Sequence, residues 1–591
     1  MKQFLFTMAG VFAGLVLFMV FVPVVLVTMA LSATAPEPIP GRTVLELDLR
    51  GPLTDQAPHN PLWGIGRNST SVMSIVETLR RAERDDRVKG VLVRLPEGGL
   101  EPGMADEIRL GLNHFRASGK PVYAHSQGIY PAGIGTTAYM LGRAADQFWM
   151  QPGASLQVTG LATEELFLKR FFDKYGVVPQ FEQRYEYKNA VNGYMQSDFT
   201  PAHREATLSW MGSVYASNLA FAAADRKADP AVLRRNLEAG PHGAQEALRL
   251  RLIDGVGQVR EVQQALLDKA GDGARLIDFD DYAEDPSDRR PVGDAIGLIE
   301  AEGPIVTGRD RGSNPFTGGA TIYSDDIAKA VVRAAKADSV KAIVLRLNSP
   351  GGSDTASEQI LDAIRFAKSK GKPVVVSMST YGASGGYWIA SEASSIVAQP
   401  TTLTGSIGVF GGKFALGEAA ARFGVDIRPL GVGGEYAGAF GVSQPFTADQ
   451  RAAFSGWMDR IYESFVARVA AGRKLPVQRV REIAKGRVWT GAQARSLGLV
   501  DEVGGFYQAV DKAKQLARLE GDVPIRRMTP TEGAFEALQK ALGVSAASAR
   551  TLAAAAWIFG DPRAQAVLDQ VAEARLRSEG GGTVLAPMPI R

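Results

Sequence analysis

The chain has 591 residues, 22% charged and 45% apolar, which excludes disordered and collagen-like classes and leaves room for several domains. Lys and Arg number 66 against 63 Asp and Glu, a net charge of +3, so there is no general basic footprint for nucleic acid. Cysteine is absent, which excludes disulfides, thiolate metal sites, iron–sulfur clusters and a cysteine nucleophile.

The N-terminus has no charged residue between Lys2 and Glu37. The apolar run from Phe4 to Leu31 is longer than the ~20 residues needed to cross a bilayer. A cleavable signal peptide is the rival reading, with Ala33-Thr34-Ala35 as its site. The length of the run and Pro36 directly after that site favour an uncleaved anchor over residues 1–35. With Lys2 held inside, the remainder faces the extracytoplasmic side. Pro36 to Gly41 then reads as a tether.

Next comes an internal repeat. VKGVLVRL ending at Leu95 is answered by VKAIVLRL ending at Leu347, and Tyr175-Gly176-Val177 by Phe423-Gly424-Val425. Leu252-Ile253-Asp254 is answered by Leu499-Val500-Asp501, the offset drifting only from 252 to 247. The first copy is expected over residues 42–277 and the second over 295–519, with a polar linker at 278–294 and an extension at 520–591. In the second copy, strands are expected at Ile296, Ala342 and PVVVSMS. A helix is expected on the face Ile327, Val331 and Ala334, another opened by a capping box of Thr355 and Glu358, and a short one at ASGGYWIA. Alternating strands and helices predict an α/β fold with mainly parallel pairing. In the extension, the Ala-rich run from Ser545 is too short to cross a membrane and reads as a surface or packing helix.

Three glycine-rich elements stand in the second copy: Asn348-Ser349-Pro350-Gly351-Gly352-Ser353, Gly382-Ala383-Ser384-Gly385-Gly386-Tyr387 and Thr404-Gly405-Ser406-Ile407-Gly408. All three can be plain turns. No Gly-Lys-Ser/Thr ending supports a phosphate loop. The sharper reading makes Ser384 a nucleophile at a helix N-terminus. The Gly385 N–H and that of Gly351 or Gly352 would then point at one substrate oxygen. A serine nucleophile needs a base. The five histidines, His59, His114, His125, His203 and His242, all precede the second copy. A His-based triad would have to borrow one of them, and lysine is the remaining common base.

ASGGYWIAS, the following PTTLTGSIG and the preceding NSPGGS resemble the signal peptide peptidase A (protease IV) family, whose long form also has a tandem repeat and an N-terminal anchor. The resemblance spans roughly Arg42 to Leu519. It implies tandem Clp protease/crotonase-like domains and a Ser-Lys dyad. The family's serine motif falls on Ser384, and its lysine motif on Tyr187-Lys188-Asn189-Ala190-Val191, with Asn189 where Ser is commoner. Ser406 matches a serine placed beside the lysine. Opposite Ser384 the first copy has Thr136, and opposite Lys188 the second has Tyr436, so each copy keeps one half of the dyad.

Burial would have to lower the Lys188 pKa, with Tyr185 and Tyr187 as candidate neighbours. The expected activity is a membrane-anchored serine endopeptidase that degrades signal peptides left in the bilayer. It would act on apolar peptides at a bacterial inner (plasma) membrane, as a homo-oligomer, with no metal or cofactor and no nucleic-acid partner. The rivals are a crotonase-like acyl-CoA-processing enzyme and a non-catalytic membrane scaffold. Neither needs a serine that reacts with phosphonates.

Overall fold

The computed structural model describes residues 39–56, 70–283, 293–310 and 320–528. The apolar segment 1–35, most of the linker and the extension beyond 528 lie outside the described residues. Among the described residues, no helix is long and apolar enough to cross a membrane.

Each repeat is built on one twisted sheet. The first has the spatial order Gly255–Val256, Gln147–Met150, Val122–Ser126, Val88–Arg94, Thr43–Asp48 and Arg275–Asp278. All its pairings are parallel. The second repeats that order with Glu502–Val503, Ser395–Ala398, Val374–Ala383, Val340–Ser349, Ala295–Glu302 and Ile525–Arg527. It adds Leu403–Gly405 and an antiparallel edge strand, Val488–Thr490. The central strands read as unbroken β-branched and leucine runs because helices cover both faces. Val340–Ser349 is buried at every position but Lys341.

The strands expected at Ile296, Ala342 and Pro373 form, as does the helix Ser324–Lys336, which buries Ile327, Val331 and Ala334. Three expectations are corrected. The helix Asp354–Ser369 is capped by Ser353, whose hydroxyl accepts from Ala356 N, and not by Thr355. Phe279–Ala283, expected as linker, is a helix that buries Phe279 and Tyr282 against the first repeat. Ile525–Arg527, beyond the expected end at Leu519, completes the second sheet in the place that Arg275–Asp278 holds in the first.

Two of the features that join the repeats position the site. Val178–Arg184 of the first pairs antiparallel with Val409–Ala415 of the second. A buried polar layer forms the other junction. Arg346 in the second repeat is held by Asp55 and Glu107 of the first, at 2.6 and 2.8 Å. Gln399 Nε2 donates to Glu107, and Thr401 Oγ1 to Asp106.

Candidate active site

Ser384 lies where the strand Val374–Ala383 passes into the helix Gly385–Ala390. Its backbone is at φ 54°, ψ −118°, an uncommon conformation for a residue with a Cβ and the mark of a sharp strand-to-helix elbow. Ser384 N donates to Gly405 O at 2.9 Å, and Ser384 O accepts from Trp388 N at 2.9 Å, so the turn is pinned from both sides. The side chain stands at the helix N-terminus, where amides lack intrahelical acceptors.

Lys188 arrives from the first repeat. The ribbon between Val178–Arg184 and Val409–Ala415 ends with Arg184 opposite Val409. Lys188, a few residues beyond Arg184, is thus set beside Ser406, just before Val409. Its Nζ is 2.9 Å from Ser384 Oγ, 2.9 Å from Ser406 O and 3.0 Å from Ser406 Oγ. Lys188 is 1% exposed and no carboxylate is among its partners. Burial alone lowers its pKa to about 7, because desolvation disfavours the ammonium. As an ammonium the group would donate to all three oxygens; as a neutral amine it can donate to both Ser406 oxygens and accept from the Ser384 hydroxyl.

The glycines separate by their hydrogen bonds. Gly351 N donates to Ser349 Oγ at 3.2 Å and is thereby engaged. A Cβ on Gly385 would stand 3.0 Å from Gly352 N and 2.7 Å from Ser357 Oγ. Gly352 N and the first amide of the Ser384 helix therefore flank one small space, which only glycine at 385 leaves open.

Sequence reasoning missed the other wall of the lysine pocket. Gly486, at φ +82°, packs so closely that a Cβ there would lie 2.5 Å from the Lys188 Cβ. Gly486 N donates to Ile407 O, and Tyr187 N donates to Lys485 O. This turn closes over Lys188, and its only sequence signal is a glycine between Lys485 and Arg487. The aromatic neighbours are corrected in part. Tyr185 is 48% exposed and packs on Tyr462 rather than around the amine, while the Tyr187 ring lies under the Arg487 guanidinium. Asn189 Oδ1 accepts from Asn192 Nδ2 at 3.4 Å and is not among the partners of the amine.

Of the described histidines, His125 contacts Gly257 O, His203 contacts Glu165 and His242 contacts Asn236 O. His59 lies outside the described residues. In the first repeat the place of the elbow is filled. Thr136 lies inside the helix Gly135–Ala144 rather than at its cap, and its hydroxyl accepts from Asn218. Thr137 Oγ1 accepts from Leu100 N at 2.8 Å, taking up an amide of the loop that corresponds to Gly351-Gly352. Tyr436, opposite Lys188 in the repeat, is on an exposed turn. Among the described residues, no group of His, Asp and Glu is arranged to hold a metal ion.

Known proteins resemble this chain across both repeats. The model of peptidase family S49 matches residues 114–271 and 366–520, one stretch in each repeat, and that of Clp protease matches 320–398. Protease 4 of Salmonella typhi is 34% identical over 81% of this chain and 79% of its own length. Protease 4 of Haemophilus influenzae is 31% identical over 77% and 74%. The chloroplastic serine protease SPPA of Arabidopsis thaliana is 28% identical over 81% and 69%. With both repeats matched and this identity sustained over most of its length, the chain belongs to peptidase family S49 and is a serine protease of the signal peptide peptidase A family, with a Clp protease-like α/β fold.

Proposed function

We propose that Ser384 is the nucleophile and Lys188 its general base, in a membrane-anchored endopeptidase that removes signal peptides left in the bilayer after secretion. The observation that carries this reading is the buried Lys188 amine, 2.9 Å from Ser384 Oγ and, among the described residues, otherwise bonded only to Ser406. Neutral Lys188 takes the Ser384 proton as Oγ bonds to the peptide carbonyl carbon. The Gly352 and Gly385 amides hold the oxyanion, each worth ~3 kcal/mol where such donors have been removed. The C–N bond breaks as Lys188 returns the proton to the leaving amine. Water, losing its proton to Lys188, then opens the acyl ester and frees the serine. Gly351 has a structural part in this reading, holding the loop through Ser349. Ser406 keeps the amine aimed at Ser384. Ser384 itself is fully buried, so the peptide must part the surrounding loops to reach it.

The substrate class and the membrane rest on the apolar N-terminal segment and on the family: an enzyme tethered at a bilayer meets apolar peptides that remain there. The test is hydrolysis of an apolar peptide and clearance of labelled remnant signal peptides from membranes. Ser384→Ala and Lys188→Ala should each lose activity by several orders of magnitude while remaining folded, and Lys188→Arg should not rescue it, since arginine stays protonated. Wild-type rates in either alanine variant would remove that residue from the mechanism. Peptide hydrolysis without clearance from membranes would leave the dyad standing and overturn the substrate.

A further inference from the structure

The loop that carries the Gly352 amide rests on the end of a neighbouring strand, Ala295–Glu302, and on the segment after it. Gly303 N donates to Asn348 O, Ile305 N to Gly351 O and Ser353 N to Ile305 O. Ser349 Oγ donates to Gly303 O at 2.8 Å. A Cβ on Gly352 would collide with Ile305 O, so this glycine lies directly on the backbone of the segment. Glu302 and Asn348, opposite one another in the sheet, are the last paired residues before the loop. Asn348 also faces the strand that ends at Ser384. There the ladder runs Leu347 against Met378 and resumes with Ser349 against Gly382. Ser379, Thr380 and Tyr381 thus stand opposite Asn348 alone, a bulge next to the elbow. Its Tyr381 N donates to a side chain, Asn348 Oδ1, at 3.0 Å. Asn348 Nδ2 donates to Glu302 Oε1 at 3.0 Å. A backbone N–H can only donate and a carboxylate only accept, so these neighbours fix which way the amide faces. Glu302 is in turn anchored from the first repeat, Asp55 N donating to Oε1 at 3.2 Å and Gln56 N to Oε2 at 3.0 Å.

The first repeat serves as an internal control. Arg50-Gly51-Pro52-Leu53 answers Glu302-Gly303-Pro304-Ile305, and Leu95-Pro96 answers Leu347-Asn348. Gly-Pro is kept in both copies. The copy without the elbow has Arg50 in place of Glu302 and Pro96 in place of Asn348. Proline has no side-chain amide, and Arg50 turns to Asp48 and Gln127 instead. The Glu–Asn pair therefore belongs only to the copy that holds Ser384.

We propose that Glu302 and Asn348 are positioning residues for proteolysis, a clamp that fixes the Gly352 amide against the Ser384 elbow so that both oxyanion donors meet at one point. This rests on the reading of Ser384 as the nucleophile with the Gly352 and Gly385 amides as its donors. Among the described residues, neither side chain bonds to Ser384 or Lys188; they act through the two loops. Asn348 grips the elbow strand three residues before Ser384, and Glu302 leads into the segment beneath Gly352. The carboxylate acceptor makes the bond between them stronger than one between neutral groups. Oxyanion donors act on charge that develops only in the transition state. Their misplacement therefore lowers kcat and leaves substrate binding unchanged.

The test uses the full chain in mild detergent at pH 8. Its probes are an apolar peptide substrate and a peptide boronate of matching sequence, whose tetrahedral adduct on Ser384 presents an oxygen to the same donors. Asn348→Asp keeps an acceptor for Tyr381 N but sets a second carboxylate against Glu302. Its kcat should fall about 100-fold with KM within about twofold of wild type, and boronate affinity should fall by the same factor as kcat/KM. Asn348→Ala, which removes both bonds and adds no charge, should show the same split. Glu302→Gln combined with Asn348→Asp restores the bond with donor and acceptor exchanged. The double variant should exceed Asn348→Asp alone by about tenfold in kcat, a partial recovery because Asp55 N loses its acceptor. Wild-type kcat in Asn348→Asp or Asn348→Ala, a loss confined to KM, unchanged boronate affinity, or a double variant no faster than Asn348→Asp would overturn the clamp. Ser384→Ala separates the two levels. If it keeps its activity, the nucleophile assignment falls and the clamp with it; if it is inactive while Asn348→Asp retains wild-type kcat, only the clamp falls.

Discussion

At the scale of single residues, the proposed chemistry turns on Lys188, whose pKa is lowered by burial alone. Its pKa in the fold, about 7, is below the ordinary 10.5. Between those values the unfolded chain holds a proton that the folded chain lacks, so this group makes stability rise with pH from about 7 to 10.5. The full span is about 5 kcal/mol at ~1.4 kcal/mol per pH unit. Lys188→Met, which has no charge to desolvate, should therefore gain stability over wild type, and the gain should shrink by about 3 kcal/mol between pH 7 and pH 9. Denaturant midpoints at the two pH values measure it; a gain independent of pH would mean that Lys188 is not held neutral by the fold.

At the scale of elements, one elbow and one ribbon bring Lys188 and Ser384 together, and a turn closes over the lysine. Gly486→Ala places a methyl 2.5 Å from the Lys188 Cβ at a backbone φ of +82°. Both effects push the lysine off its line to Ser384. A fall of 100-fold or more in kcat/KM is expected, since misplacing a reacting group by ~1 Å costs about that much. Circular dichroism should be unchanged, and near-wild-type kcat/KM would show that the turn does not set the lysine. Much of this scale was legible in the sequence. Val340–Ser349 and the Ser384 elbow announced themselves by β-branched runs and by Ser-Gly-Gly. The cap at Ser353 was misread as Thr355 because the two hydroxyls are two residues apart and both precede acidic residues. The Lys485–Arg487 turn was illegible because its purpose depends on a residue almost three hundred positions away.

At the scale of the whole molecule, the repeats meet through buried charge. Arg346 is fully buried between Asp55 and Glu107, and Ser379 also donates to Asp55. Close by, burial and the Asp55 charge raise the Glu302 pKa to about 7. Glu302 accepts from Asn348 Nδ2, and Asn348 Oδ1 from Tyr381 N, so the layer reaches the strand that ends at Ser384. Arg346→Met strands two buried carboxylates. It should cost about 3–5 kcal/mol, measured by chemical denaturation at pH 8. A loss below about 1 kcal/mol at pH 8 would show that this buried charge cluster does not hold the repeats together. The repeat was visible in the sequence, and the family motif singled out Lys188 and Ser384 as candidates. This layer was not visible, because Asp55, Glu107 and Arg346 sit in unremarkable local patterns and gain meaning only when two distant surfaces dock.

The most direct test of the Ser384–Lys188 pairing is the pH dependence of labelling by a serine-reactive phosphonate, with the modified residue mapped by mass spectrometry. The label should fall on Ser384 and be lost in Ser384→Ala. Its rate should rise about tenfold per pH unit below about 7 and level off above, as Lys188 loses its proton. Labelling of a different serine, or a rate unchanged from pH 5 to 9, would contradict a buried lysine acting as the base of Ser384.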